Sequence, residues 1–333
     1  MKVRRFAATA ATAATAAAAL AAVTMLSGCD AAAGGSGDQM TGLRIMVPNA
    51  PGGGYDITAR TSAKVMEEAE VARNVEVFNL PGAGGTVGLG RLVGEKGNGK
   101  LAMQMGLGVV GAALTNESPA TLQETTPIAK LIEEPDILVV SAKSKYRTLE
   151  QLIADWEADP GGVPVGGGSS SGGPDHLAAM LSAEGAGIDP KDVNYVPYDG
   201  GGDLLAAILG DKVAFGVSGV SEWRDQIDAG QLRVLAVTSA ERADGIDAPT
   251  LTDSGVDVEF TNWRGVVAPP GISDADRKAL VGAYQRMHDS PQWQRALKKN
   301  GWADAFQTGD EFGAFLKEQN TRVESVLREL GLA

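Results

Sequence analysis

Asn49-Ala50-Pro51-Gly52-Gly53-Gly54-Tyr55-Asp56 follows the apolar run Leu43 to Val47, and a helical pattern begins directly after it. A second loop of the same kind, Pro81-Gly82-Ala83-Gly84-Gly85-Thr86-Val87-Gly88, follows Val75-Glu76-Val77-Phe78. Glycine lets a backbone N–H approach a ligand with no Cβ in the way. A helix starting behind it adds unpaired N–H donors and a partial positive charge. Such a loop can hold an anion with no Lys or Arg. Three more loops sit at strand ends: Gly166 to Gly173, which contains Ser169, Ser170 and Ser171; Tyr198-Asp199-Gly200-Gly201-Gly202; and Gly216-Val217-Ser218-Gly219. In open α/β sheets ligands bind beyond the carboxyl ends of the strands. Five loops of one chemical type there predict a site for something small and negatively charged.

Outward from these loops, short apolar β-rich runs alternate with amphipathic helical stretches. Strands are expected at 43–47, 75–78, 101–105, 137–140, 163–165, 195–196, 213–217 and 234–237, and helices from about residue 57, Thr148, Pro174, Leu204 and Ser221. That alternation predicts an α/β protein with largely parallel sheets. The C-terminal third reads as packing helices, opened by Ser273, Pro291 and Thr308.

The first 28 residues have the shape of a secretory leader. Lys2, Arg4 and Arg5 precede the Ala-rich stretch Phe6 to Met25, and Leu26-Ser27-Gly28-Cys29 ends it. The ending resembles the lipobox of bacterial lipoproteins, which implies cleavage before Cys29 and lipidation of its thiol. Cys29 is the only cysteine, which excludes a disulfide within the chain. Residues 29–42 are expected to be a flexible tether. Losing the leader takes the net charge from −13 to −16. An acidic surface argues against nucleic acid and anionic membranes as partners, so any anion must be captured by local donors.

Catalytic motifs fare poorly. Gly82-x-Gly84-x-x-x-Gly88 misses the dinucleotide spacing, and no P-loop occurs. Gly168-Ser169-Ser170-Ser171-Gly172 matches the nucleophile elbow of α/β-hydrolases, making a serine hydrolase using Ser170 the alternative reading. A triad would need His288, or His176 out of order, and a Gly/Ser run matches that motif by composition alone. Two isolated histidines give metal chemistry no support, and no cofactor is implied. Tyr55 and Tyr198, inside the loops, are expected to wall a pocket with their polar tips available; Trp263 fits pocket and core equally.

The sequence is similar to the solute receptors of tripartite tricarboxylate transporters, also called Bug receptors. The resemblance rests on Pro51-Gly52-Gly53-Gly54-Tyr55-Asp56 with Ala59-Arg60, Asn79-Leu80-Pro81-Gly82-Ala83-Gly84-Gly85, Tyr195-Val196-Pro197-Tyr198, Ala229 to Ser239 and Pro249-Thr250-Leu251. Asn262-Trp263-Arg264-Gly265 and Ala268-Pro269-Pro270-Gly271 look most like the tricarboxylate-binding branch. The resemblance implies a class II periplasmic-binding-protein fold, two α/β domains joined by a hinge with the ligand cleft between them. Domain 1 would be residues 43–138 plus 240–333, and domain 2 residues 139–239.

It also implies a binding protein, not an enzyme: a monomer on the extracytoplasmic face of the cell membrane that captures citrate or a related di- or tricarboxylate for permease subunits. The ligand positions carried over are Gly53, Gly54, Tyr55, Gly84, Gly85 and Thr86 on one side. Ser169, Ser170, Ser171, Tyr198, Gly200, Gly201 and Ser218 face them. Asp56 is included as a helix cap or water-orienting group. The acid that relatives carry after the strand at 213–217 reads as replaced around Ser218, which favours an anionic distal group on the ligand.

Overall fold

The computed structural model describes residues 39–329, 331 and 332. The leader, Cys29 and the expected tether as far as residue 38 lie outside them. The chain runs β1 (Met40–Thr41), β2 (Arg44–Val47), α1 (Gly54–Glu68), β3 (Ala72–Arg73), β4 (Glu76–Asn79), α2 (Thr86–Gly94), β5 (Leu101–Gly106) and α3 (Leu107–Thr115). It continues with β6 (Thr126–Ser141), α4 (Leu149–Ala158), β7 (Val165–Gly167), α5 (Pro174–Gly185), β8 (Tyr195–Pro197), α6 (Gly201–Leu209), β9 (Phe215–Gly219), α7 (Val220–Asp228) and β10 (Leu232–Val237). The last elements are β11 (Thr261–Ala268), α8 (Asp274–His288), α9 (Pro291–Asn300), β12 (Ala303–Thr308) and α10 (Gly309–Glu329). Strand β1 pairs in parallel with β3 and buries Met40, so the fold begins by residue 40, inside the stretch expected as tether.

Strand β6 organises two α/β lobes. Its first part, Thr126–Pro135, lies between β11 and β12, and the lobe continues from β11 through β5 and β2 to β4. Its second part, from Asp136, lies between β9 and β10, and that lobe continues through β7 to β8. Pro135, which has no N–H to donate, stands at the changeover. Beyond it the run alternates between cores: Ile137 and Val139 enter a smaller cluster with Leu204 and Trp223, while Leu138 and Val140 enter the main core.

The sheets are mixed rather than largely parallel. In each lobe three strands run parallel, β4-β2-β5 and β8-β7-β9, and the strands beyond them are antiparallel. The C-terminal third also contributes strands, β11 and β12, as well as helices. Those helices do pack as expected: Phe312, Leu316, Val323 and Leu327 of α10 are buried. Trp263 is core. Its ring lies edge-on to Phe312 and Phe315, and its indole N–H donates to Gln319 at 3.2 Å.

Candidate functional site

The parallel strands of both lobes end at one cleft of about 350 Å³. From β2 come Pro48 and Asn49, then Gly54 and Tyr55 at the start of α1. Ala83 and Gly84 follow β4, and Gly108 opens α3 after β5. From the other lobe come Gly168, Ser169 and Ser170 after β7, Pro174 and Asp175 at the start of α5, Tyr198 and Asp199 after β8, and Glu222 in the first turn of α7. Asn262 and Arg264 of β11 complete it. These two share a face because strand side chains alternate, which turns Trp263 the other way.

Helix starts therefore meet here from both lobes, with Gly53, Gly106, Gly173 and Gly200 as the N-caps of α1, α3, α5 and α6. Each start presents N–H groups that its own helix leaves unpaired. Gly200 has φ +113°, a conformation that L side chains rarely adopt, and a Cβ there would lie 3.8 Å from the Cα of Gly53. The lobes also touch at α3: a Cβ on Gly111 would fall 2.7 Å from the carbonyl carbon of Gly172, and nearer still to its oxygen. A Cβ on Gly84 would meet Ser170 Oγ at 2.5 Å. Thr115 Oγ1 donates to the Ser171 carbonyl at 3.5 Å.

Of the expected ligand positions, Gly54, Tyr55, Gly84, Ser169, Ser170 and Tyr198 line the cleft. Gly53 and Gly200 face each other beside it. Gly85 caps α2, and Thr86 Oγ1 donates back to the Ala83 carbonyl at 3.0 Å. Ser171 is exposed. Gly201 N–H and Ser218 Oγ donate to Glu222, at 2.9 and 3.1 Å, so they act on the cleft through that carboxylate.

Asp56 braces the first loop. It accepts from Gly52 N–H at 2.9 Å, Asn79 Nδ2 at 3.0 Å and Arg60 Nε at 2.9 Å. Burial pushes its pKa up, but those bonds and the Arg60 charge outweigh burial and hold it below the usual value.

The cleft also holds groups that the sequence reading did not select. Arg264, 1% exposed, pairs with the fully buried Glu134 of β6. Glu134 also accepts from Trp302 Nε1 at 3.1 Å and from Ser221 N–H at 3.4 Å, while Arg264 Nη1 reaches Thr58 Oγ1 at 3.3 Å. Asp175 accepts Gly168 N–H at 2.6 Å. The expectation that the region after the 213–217 strand lacks an acid is overturned: Glu222 stands there, at the cleft, held by Gly201 and Ser218. Burial pushes Glu222 up to about 8 and Asp175 to about 6. Burial first, then the Asp175 and Glu134 charges, raise Asp136 well above the usual range. Among the described residues, four side-chain polar atoms at the cleft have no hydrogen-bond partner: Asn49 Oδ1, Tyr55 Oη, Asn262 Oδ1 and Arg264 Nε.

The hydrolase alternative finds no triad. His176 Nδ1 accepts from Gly172 N–H at 3.3 Å with its ring edge-on to Tyr195, and burial lowers its pKa to about 4. His288 is stacked on Phe306 and bonded to Asp289 and Asp304. Among the described residues no group of three or more His, Cys, Asp and Glu could hold a metal ion. Among the same residues no helix is long and apolar enough to cross a membrane.

Residues 58–332 match the family model described as tripartite tricarboxylate transporter family receptor. The protein BugT of Bordetella pertussis is 28% identical over 299 residues, covering 87% of this chain and 89% of BugT. Among solved structures, the periplasmic binding protein BugD superposes with a TM-score of 0.80 at 23% identity, over 88% of this chain and 98% of BugD. MatC of Rhodopseudomonas palustris, solved with bound malate, gives a TM-score of 0.77 at 22% identity, over 86% and 99% of the two chains. Both likenesses carry the two-domain binding-protein fold.

Proposed function

The chain belongs to the tripartite tricarboxylate transporter receptor family, whose members are solute receptors and not enzymes, and from that premise we propose that it captures a small di- or tricarboxylate in the cleft between its lobes. The observation that carries this reading is the meeting of four helix starts with the unpartnered Tyr55 Oη and Arg264 Nε around one small cavity. A carboxylate there receives preorganised donors that need no countercharge. Ser169, Ser170 and Tyr198 would add contacts from the second lobe, so binding favours the state in which the lobes meet. That state is what a permease would recognise. Malate in the related MatC is a ligand of this size class.

The finer identity follows the sequence blocks. Citrate is the tricarboxylate they suggest, and the chain would act from the extracytoplasmic face as a monomer held by lipid at Cys29. The test is thermal unfolding of the purified protein with citrate, isocitrate, tricarballylate, succinate and malate. A ligand at a hundredfold excess over its Kd adds about 2.7 kcal/mol and raises the midpoint visibly. A rise with citrate alone supports the finer reading, a rise only with dicarboxylates discards citrate, and no rise with any carboxylate refutes the receptor site. Ser170→Ala should weaken binding by about 1–2 kcal/mol, the worth of one hydrogen bond to a charged group.

A further inference from the structure

A second cavity, of about 240 Å³, shares two helices with the solute cleft but none of its lining residues. Leu107 of α3 stands one residue before Gly108 of the cleft, and Leu177 of α5 two residues after Asp175. The remaining walls are α10 and the chain that returns from β10 to β11, where Phe260 lies. On α10 the lining residues Gln319, Arg322, Val323 and Val326 follow the spacing of one helix face. Leu181 lies one turn beyond Leu177 on α5. Leu107, Leu177, Phe260 and Val323 are buried, while Leu181 and Val326 are half-buried at the edge. Apolar walls with a few placed polar groups are the usual make-up of a small-molecule site.

The polar groups decide the ligand's head. Trp263 Nε1 can only donate, and it donates to Gln319 Oε1 at 3.2 Å, which fixes the orientation of the amide. Gln319, 8% exposed, is left with its NH2 group, which has no hydrogen-bond partner among the described residues. One turn on, the exposed Arg322 guanidinium has no partner among the same residues. Donors side by side on one helix face call for an oxygen anion. Glu259, the one acid in the lining, is exposed, where water and salt screen it. At about 30 Å³ for each water-sized group, the cavity has room for about eight of them. We propose that it is a second ligand site, taking a medium-chain carboxylate with its chain among Leu107, Leu177 and Val323 and its head on Gln319 and Arg322. The site stands independently of what the solute cleft binds.

The test is calorimetry on the purified protein at pH 7 with octanoate, 1-octanol and octylamine, which share a chain and differ in the charge of the head. Octanoate should bind about fivefold or more tightly than 1-octanol, and octylamine most weakly. From butanoate through hexanoate to octanoate, each CH2 should tighten binding about fourfold, the worth of one buried methylene. Arg322→Gln should bring octanoate within about twofold of 1-octanol and leave the unfolding midpoint in place, since Arg322 is exposed and unpaired. Methyl NMR of the unaltered protein locates the site: octanoate should shift Leu177, Leu181, Val323 and Val326. Shifts confined to Ala83 would place octanoate in the solute cleft and overturn the inference. So would octanol or octylamine binding as tightly as octanoate, or an affinity for octanoate that Arg322→Gln leaves unchanged. Absence of octanoate binding would mean that the cavity is a packing gap, and would leave the receptor reading untouched.

Discussion

Gly111→Ala should separate the closed cleft from the stability of the fold. The new Cβ would begin 2.7 Å from the Gly172 carbonyl carbon, and closer to its oxygen, so it meets backbone that no rotamer can move aside. Ordinary carbon contacts start near 3.5 Å, so with the oxygen nearer still the lobes must part at this point by more than about 1 Å. The second lobe then loses its reach to a ligand seated on α1 and α3. Forfeiting two hydrogen bonds to a charged group, each worth about 1–2 kcal/mol, raises Kd roughly 30- to 900-fold. The ligand-free protein should respond in the opposite sense. Residue 111 lies inside α3, where alanine outperforms glycine by about 0.5–1 kcal/mol, so its midpoint should hold or rise. Calorimetry with the best ligand from the screen, beside thermal unfolding without ligand, reads both effects. Unchanged affinity would mean that the Gly111–Gly172 contact is no part of the bound state. A midpoint that collapses without ligand would mean that it belongs to permanent packing.

Three further outcomes follow from the buried charges and the chain's beginning. Glu134→Gln leaves the Arg264 guanidinium buried without its anion and should cost about 3–5 kcal/mol in urea unfolding; a loss below about 1 kcal/mol would show that water reaches the pair. Glu222 binds its proton more tightly folded, at about 8, than in the ordinary state at 4.5. Stability of the ligand-free protein should therefore fall as pH rises across that window, and Glu222→Gln should flatten the decline; a slope unaltered by the substitution places the effect elsewhere. Cys29→Ser should move the protein from the membrane fraction to the soluble one, whereas retention on membranes would argue against a lipid at that position.

The α/β layering and the cleft-facing loops were legible because they are written in local terms. Valine and isoleucine runs mark the strands, and glycine marks places where backbone must come close. The first half of β6 was not legible. Lys130, Glu133 and Glu134 between Pro127 and Pro135 look like a polar turn, and only partners far along the chain, Arg264 and Trp302, make Glu134 a core residue. Strands β11 and β12 were missed for the same reason, since their pairing is long-range and antiparallel. Asp175 and Glu222 were hidden differently. An acid in the first turn of a helix is what the helix dipole favours on any surface, so neither stood out until the fold turned those helix starts inward. Asp56 shows the converse, a polar residue inside a recognisable loop whose bonds hold the loop itself.

The sixteen-residue strand β6 has a consequence for anyone cutting this protein apart. Both lobes take an interior strand from the same uninterrupted segment, so neither is a module with its own complete sheet. A fragment ending near Pro135 would leave β5 and the first half of β6 without β11 between them, and one beginning there would open β11 and β12. Either piece would display unpaired ladder groups beside apolar side chains, the surface from which aggregation starts. Chimaeras that trade lobes between relatives would have to carry β6 whole, from Thr126 to Ser141, together with Glu134's distant partners Arg264 and Trp302.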